Sequence, residues 1–472
     1  MGAIYQMMNF TIFDKKEKKL YVVSILFWIG MWQILASFVN QEILFVSPIS
    51  VLIQLFHMIQ IKETWMIVMH STIGNMIGFS LAFFCGFFLA LFSYRFQIIK
   101  IWVAPVLLGI KSIPVASCIL VLLLFLSAKL LPIMIVFLMV LPIAYTNFLQ
   151  GFCSISFELL EMAKVFKVGT LKKWRYLYSS ELFPAVKTIC TIGIGFAWKS
   201  GVAAEVIGMC QGTIGQALYE AKIYFDTVFL FAWTIIILFV SLLWEKMIHK
   251  LFEEIEKMVL RPIKQQKDIY FVGIDTKNEQ REEKEIQIKN LTKRYQEQVI
   301  LEQYSVTIPL SKRIGLEGRS GAGKTTFLRC MLGLESISSG MIIGTENIRF
   351  SVVFQENRLC ENLSVATNIQ LVSNISVEEL KQELQKVELF DVEHKKVKEL
   401  SGGMKRRIAI VRALQVPFDV LVLDEPFQGL DQQSKEQTIA YIMEKTKRKT
   451  VLVVSHEKED LEKLEVENRI KL

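Results

Sequence analysis

Paired cysteines are missing from this sequence. The seven cysteines, Cys85, Cys118, Cys153, Cys190, Cys210, Cys330 and Cys360, are scattered, and no two of them stand in a C-x-x-C spacing. That pattern argues against a disulfide framework or a zinc ribbon and leaves the cysteines as small apolar packing residues. An unbroken basic face is missing too. Lys and Arg number 54 against 46 Asp and Glu, for a formal charge of +8, yet Lys and Glu intersperse through the C-terminal half. No nucleic-acid partner is expected from such a surface. Charge of either sign is scarce between about Leu20 and about Trp244. The 52% hydrophobic content and 33 Phe of the 472 residues therefore average a membrane-like half and a soluble half that begins near Glu245. A chain of this length exceeds one ordinary core, so more than one domain is expected.

The apolar half holds six segments long enough to span a bilayer, at about Leu20–Phe38, Met66–Ser93, Ile101–Leu126, Leu131–Gln150, Pro184–Gly208 and Phe225–Met247. Each approaches the roughly 20 residues that a helix needs to satisfy its own backbone in hydrocarbon. The third is interrupted by Pro105, Lys111 and Pro114, which leaves a broken helix or a short span after an interfacial turn. Ser47–Gln60 reads as a separate short amphipathic helix on the outer side. The first segment lacks a small-residue cleavage site and is longer than a signal-peptide core, so it reads as a span. Lys15, Lys16, Lys18 and Lys19, then Arg95 and Lys100, then Lys164, Lys167, Lys172, Lys173 and Arg175 fall on one side. By the positive-inside rule that side is the cytoplasm. The opposite loops carry only isolated cations such as Lys62, Lys129 and Lys222. Six spans return the chain to the cytoplasm, so a multi-pass protein of the cell membrane, in contact with lipid, is expected.

The soluble half carries a phosphate loop. Gly318-Arg319-Ser320-Gly321-Ala322-Gly323-Lys324-Thr325-Thr326 fits G-x-x-x-x-G-K-[ST], after a strand-like Arg313–Leu316 and before a helix-like Thr326–Leu334. Glycines let successive N–H groups turn toward phosphate oxygens at a helix N-terminus. Lys324 is expected to reach the terminal phosphates and Thr325 to ligate Mg²⁺. Farther on, Val420–Leu423 is an apolar run ending in Asp424 and Glu425. A buried parallel strand reads this way, and its carboxyl end is where an open α/β sheet binds ligands. Asp424 suits Mg²⁺ held through water, and Glu425 suits a base that polarises the attacking water. Thr450–Val454 is a second such strand, followed by Ser455 and His456, where a His can contact the γ-phosphate or stand as an ordinary surface residue.

Between these elements lies Leu400-Ser401-Gly402-Gly403-Met404, which resembles the signature sequence of ATP-binding cassette (ABC) ATPases. The resemblance covers about Ile286 to the C-terminus. It implies an adenine-stacking role for Tyr295, a Mg²⁺-proximal role for Gln355 in Val353-Phe354-Gln355, a dimer contact at Leu430-Asp431, and ATP as the nucleotide. It also implies that Ser401, Gly402, Gly403 and Met404 of one subunit close over the phosphate loop of another, so a homodimer is expected. Met404 stands where the family most often has Gln, and activity is expected to survive because backbone N–H groups and the Ser401 hydroxyl make that contact. With His456 near the end of the sequence, a domain compact for this family is expected.

The cytoplasmic stretch from Glu158 to Gly169 resembles the coupling loop of ABC importer permeases, with Glu161 and Ala163 in place. Lys167 occupies that pattern's Gly position and Ser180 its Pro position. Leu159, Met162, Ala163 and Phe166 share one helical face, as a helix seated in a groove of the ATPase requires; an ordinary basic interfacial helix is the alternative. The membrane half resembles permeases of the nitrate, sulfonate and taurine importer group, chiefly through Lys111–Ser117 and Phe196–Glu205. By implication a separate extracytoplasmic solute-binding protein delivers a small-molecule substrate, and no such domain is recognised in this chain. Lys199 and Glu205 fall inside the fifth span but six residues apart, on different helix faces. Lys199 is a candidate for the transport pathway or for structural bridging.

The expected architecture is therefore multi-domain: an all-α transmembrane permease domain of about six spans (1–250), a charged linker (251–285) and an α/β P-loop ABC ATPase domain (286–472). The expected activity is ATP hydrolysis that drives import. An exporter or lipid-flipping half-transporter joins its domains in the same order, but extends its helices far into the cytoplasm, and the loops Tyr94–Lys100 and Gly151–Phe183 are too short for that. A membrane-anchored ATPase that transmits signal or force is the third reading.

Overall fold

The computed structural model describes residues 15–39, 41, 45–262, 285–296, 298–319 and 321–472, with the side chains of residues 15–18 and 21 excepted. Two compact units emerge: Met1–Phe152 with Pro184–Glu254, and Cys153–Phe183 with Ile255–Leu472. Most of the expected linker, 263–284, lies outside the described residues, as do the side chains of Lys15, Lys16 and Lys18.

In chain order the helices before the C-terminal half are α1 (Lys15–Val39), α2 (Pro48–Gln60), α3 (Lys62–Arg95), α4 (Gln97–Ser112), α5 (Val115–Leu123), α6 (Leu131–Cys153), α7 (Phe157–Val165), α8 (Ser179–Gly208), α9 (Ile214–Ile223) and α10 (Thr227–Val259). Among the described residues five stretches are long and apolar enough to cross a membrane: Val22–Val39, Lys62–Arg95, Leu131–Cys153, Thr170–Gly208 and Thr227–Val259. Helices α4 and α5 add a sixth only as a pair bent by 101°. The break falls at Ile113-Pro114, where Ile113 is extended (φ −77°, ψ 127°). Proline disfavours the helical region for the residue before it. Pro105 sits inside α4 without ending it. Outward-facing Leu26, Phe27, Trp28, Phe84, Phe88, Leu238 and Phe239 are exposed. Apolar surface on this scale marks a membrane-associated protein.

Small residues bring these helices together. A Cβ on Gly78 would stand 2.6 Å from the Ile133 carbonyl oxygen, and one on Gly86 2.6 Å from Ala144 Cβ, so α3 and α6 touch backbone to backbone. The rings of Phe83 and Phe87 meet Phe148 edge-on just beside this contact. Glu205 is buried: its Oε2 accepts from Ser71 Oγ (2.9 Å) and from the Gly215 N–H (3.1 Å). It thus supplies a carboxylate to the N-terminus of α9. Lys199 is exposed.

The second unit is α/β. Strands β1 (Glu285–Tyr295), β2 (Gln298–Pro309) and β4 (Ser339–Ile343) form an antiparallel sheet in the order β2-β1-β4. Strands β3 (Arg313–Glu317), β5 (Phe350–Val353), β6 (Val420–Asp424), β7 (Thr450–Val454) and β8 (Asn468–Lys471) form a parallel sheet in the order β5-β6-β7-β3-β8. Both β6 and β7 are buried along their whole length, as their unbroken apolar runs require. The helices of this unit are α11 (Lys324–Met331), α12 (Val365–Gln370), α13 (Val377–Gln385), α14 (Gly402–Leu414), α15 (Gln432–Lys445) and α16 (Lys458–Lys463). Phe327 and Leu328 of α11 and Ile408, Ile410 and Val411 of α14 join the strands in one core. Met162, Ala163 and Phe166, from α7 and its end, belong to the same core.

Candidate nucleotide and coupling site

The carboxyl ends of β3, β5, β6 and β7 all open on one edge of the parallel sheet, and the chemistry-bearing residues leave from there. After β3 the chain enters the phosphate loop, where Gly321 (φ 81°) and Gly323 (φ 89°) take left-handed backbone that a side chain resists. A Cβ on Gly323 would also press to 2.9 Å from Ile300. The Lys324 ammonium folds back over the loop and donates to the Gly318 (2.8 Å) and Arg319 (3.1 Å) carbonyls. Ala322 closes the turn through its N–H to the Arg319 carbonyl (3.1 Å). Ser320 lies outside the described residues. Helix α11 starts at Lys324, with Thr325 exposed and Thr326 half-buried on its first turn.

Thr325 faces Asp424, and their side chains hydrogen-bond. Burial, and then the neighbouring Glu425 carboxylate, push Asp424 up to about 6. A cation would relieve that repulsion. Thr325, Gln355 and Asp424 line one cavity of about 80 Å³. These donors, one hydroxyl, one amide and one carboxylate, suit a hard, oxygen-preferring divalent ion such as Mg²⁺. Such an ion would neutralise phosphate charge there.

Glu425 follows β6 with a left-handed backbone (φ 47°), uncommon for a residue with a side chain. Its N–H is tied to the Val454 carbonyl (2.9 Å) at the end of β7. Its Oε1 is buried without a hydrogen bond, and His456 Nε2 lies 3.4 Å from it. A carboxylate held in this way, with one open lone-pair set, can orient a water.

Tyr295 ends β1 with its ring exposed and its hydroxyl bonded to Glu335 and Thr326. Burial, then Glu335, raise its hydroxyl to about 12, so it stays a donor. The Lys293 ammonium sits 4.7 Å from the centroid of the ring.

Ser401 caps α14, its Oγ accepting from the Met404 N–H (3.4 Å). Ser401 and Gly402 are exposed, and Gly403 and Met404 half-buried. Among the described residues no hydrogen bond or ion pair joins Ser401–Met404 to the phosphate loop. The structure therefore assembles Lys324, Thr325, Gln355, Asp424, Glu425 and His456 at one place and leaves the signature elsewhere on the same unit. A Cβ on Gly403 would lie 3.3 Å from the Gly429 carbonyl, which sets the signature beside Leu430 and Asp431. Asp431 itself caps α15 through the Ser434 N–H (2.9 Å).

One residue at the centre of this site escaped the sequence reading. Arg406 of α14 is buried, and its guanidinium donates to the carbonyls of Phe354 (2.5 Å), Gln355 (3.1 Å), Asp424 (2.8 Å), Glu425 (2.5 Å) and Pro426 (2.8 Å). It pins the ends of β5 and β6 to each other. In the sequence it is one of three consecutive cations, Lys405-Arg406-Arg407, with nothing local to single it out.

The residues of the 301–428 stretch match the model of the family described as ABC transporter. An uncharacterised ABC transporter ATP-binding protein of Haemophilus influenzae is 32% identical over 184 residues, which are 37% of this chain and 77% of that protein. The chain belongs to the ABC transporter family. Within that family it is 33% identical over 206 residues to the phosphonates import ATP-binding protein PhnC of Fusobacterium nucleatum, covering 36% of this chain and 82% of PhnC. It is 34% identical over 199 residues to the glucose import ATP-binding protein GlcV of Saccharolobus solfataricus, but covers only 56% of GlcV and 37% of itself in doing so. The solved dimeric ABC transporter cassette MJ0796 is 26% identical, with a TM-score of 0.35 over 40% of this chain and 94% of that one. The chain is thus an ATP-binding cassette ATPase preceded by several apolar helices.

The ABC transporter family's coupling-loop pattern was expected at Glu158–Gly169. There α7 is capped by Ser156, whose Oγ accepts from the Leu159 N–H (3.3 Å). Met162 and Ala163 are fully buried and Phe166 nearly so, and Leu159 packs against them. Glu161 is buried and accepts from two guanidiniums: Arg329 of α11 (2.5 and 3.0 Å) and Arg358 (3.0 Å), three residues past Gln355. Lys167, at the Gly position, takes φ 49°. The turn thus keeps the glycine-like conformation without the glycine.

Proposed function

We propose that this chain imports a small solute, of anionic organic or inorganic character, across the cell membrane at the expense of ATP, working as a homodimer fed by a separate solute-binding protein. The domain boundaries would be 1–250 for the permease, 251–285 for the linker and 286–472 for the ATPase. The observation that carries this reading is Glu161. A buried carboxylate from the segment between two apolar stretches bonds both to the helix behind the phosphate loop and to the loop behind Gln355. Movement of either during the ATP cycle is felt by α7. Import relatives such as PhnC and GlcV favour this direction of transport.

In this reading Gly318, Arg319, Ser320, Gly321, Ala322, Gly323, Lys324, Thr325 and Thr326 cradle the phosphates, with Lys324 compensating their charge. Tyr295 stacks on the base. Thr325, Gln355 and Asp424 hold Mg²⁺, Glu425 polarises water, and His456 contacts the γ-phosphate. Ser401, Gly402, Gly403 and Met404 of the second subunit close the site, because an exposed helix start such as that of α14 suits an anion. Two chains are needed for one complete site.

The test is reconstitution of the full chain in proteoliposomes, with a candidate binding protein and radiolabelled nitrate or sulfonates outside. ATP-dependent accumulation that requires the binding protein supports import. Stimulated ATP hydrolysis with no accumulation of any solute would favour a signalling or force-transmitting ATPase instead.

A further inference from the structure

Glu161 does not only meet two arginines; a continuous run of charged contacts leads on from it to Tyr295. Arg329 holds Glu161 with its two terminal nitrogens and donates from Nε to Glu335 Oε1 (3.1 Å). The other oxygen of Glu335 accepts the Tyr295 hydroxyl, and Lys293 Nζ lies 3.4 Å from it. Lys293 is fixed in turn by the Ser336 carbonyl (2.7 Å) and covers one side of the Tyr295 ring. Arg329 and Glu335 are both half-buried, so the contact between them is screened by solvent only in part. Every group from α7 to the ring is thus bonded to the next, with two carboxylates sharing one guanidinium between them.

We propose that Arg329 and Glu335 are positioning residues that tie the placement of the Tyr295 ring to the docking of Glu161, so that seating of α7 and binding of the adenine base favour each other. The proposal rests on the reading of Tyr295 as the base-stacking residue. With Glu161 in place, the charge of Arg329 is divided between two carboxylates, and Glu335 stays free to hold the tyrosine hydroxyl outward. Without Glu161, Arg329 turns wholly to Glu335 and draws it from the tyrosine. Coupling between sites is reciprocal, so bound ATP should hold α7 in place by the same factor.

The experiment measures Kd for ATP and for inorganic tripolyphosphate, which has no base, on the full chain in nanodiscs. The variants are E161Q, E335Q, Y295F and E161Q/Y295F. Expected are an ATP affinity lowered about fivefold by E161Q, the small end of allosteric couplings, unchanged tripolyphosphate affinity, and no effect of E161Q in the Y295F background. E335Q, which leaves the Glu161 pairs intact, should by itself reproduce the base-dependent loss, and it decides the matter if E161Q does not assemble. Equal losses for ATP and tripolyphosphate would show mere damage to the phosphate-loop helix and overturn the proposal. So would the same fold-loss from E161Q with and without the Tyr295 hydroxyl. A Y295A variant separates the two levels. Unchanged ATP affinity there removes the stacking role and the link together, whereas weakened affinity there with no E161Q effect removes the link alone.

Discussion

Removing the Arg406 guanidinium should do more damage than removing any other residue that does not face the nucleotide. Five backbone carbonyls accept from it. At about 1.5 kcal/mol for each bond to a charged donor they contribute about 7 kcal/mol. Against this stands the cost of burying the charge, which lowers the guanidinium from its ordinary value to about 10, despite the opposing pull of Asp424 and Glu425. At about 1.4 kcal/mol per unit that costs about 3 kcal/mol. The net is about 4 kcal/mol, within the range of buried charges whose partners are lost. R406A should therefore lower the thermal unfolding midpoint of the ATPase unit by about 10 °C. Because Gln355 and Glu425 lose their common anchor, Mg-ATP turnover should fall about 100-fold, the usual effect of an ångström-scale misplacement. R406K has one nitrogen where five carbonyls are spread around a fork, and should recover only part of either quantity. The assay is phosphate release by the full chain in nanodiscs, with the melting curve followed in parallel. Turnover within twofold of wild type and an unshifted midpoint in R406A would refute the reasoning.

Other expectations are simpler. K324A should lose nucleotide binding or turnover, and E425Q should bind ATP, stall hydrolysis and trap a closed dimer, visible as an ATP-dependent shift in size-exclusion chromatography; normal turnover by E425Q would contradict the water-polarising role. K167G should raise stability by about 1 kcal/mol, since a side chain in left-handed backbone costs that much, read as a higher denaturant midpoint with unchanged turnover. Glu383 is pushed up by burial, but hydrogen bonds from Lys445, Tyr441, Gln415 and Lys386 outweigh this and bring it down to about 2. A carboxylate lowered by folding stabilises above its unfolded value near 4.5 and loses that contribution as pH falls toward 2. E383Q should therefore be less stable than wild type by about 2 kcal/mol at pH 7, after allowance for solvent screening, with the difference shrinking between pH 4.5 and 2.

The limits of a linear reading show in particular residues. The phosphate loop, β6 with its terminal Asp424 and Glu425, and β7 before His456 were legible because each is a short contiguous segment whose pattern encodes its own geometry. A short apolar run of β-branched residues and leucine that ends in carboxylates reads as a buried strand, and a glycine-lysine turn needs its neighbours and nothing else. The apolar helices were legible for the same reason, since the backbone must satisfy itself in hydrocarbon whatever surrounds it. Even the break at Pro114 was among the named interruptions, and structure was needed only to choose it over Pro105.

Arg406, Arg329, Arg358 and Glu335 carried no such mark. A cation is indistinguishable from a solvated one until the fold decides what lies opposite, and Arg358 and Glu161 are 197 residues apart. Glu205 was visible as a charge inside a span, but only the packing of α3 against α8 and α9 turned it into an anchor for a helix N-terminus. Local chemistry was thus written in the chain, because short-range sterics and hydrophobicity act between neighbours. The wiring between the sites was settled by tertiary contact, because charge pairing acts across space and is indifferent to distance along the sequence.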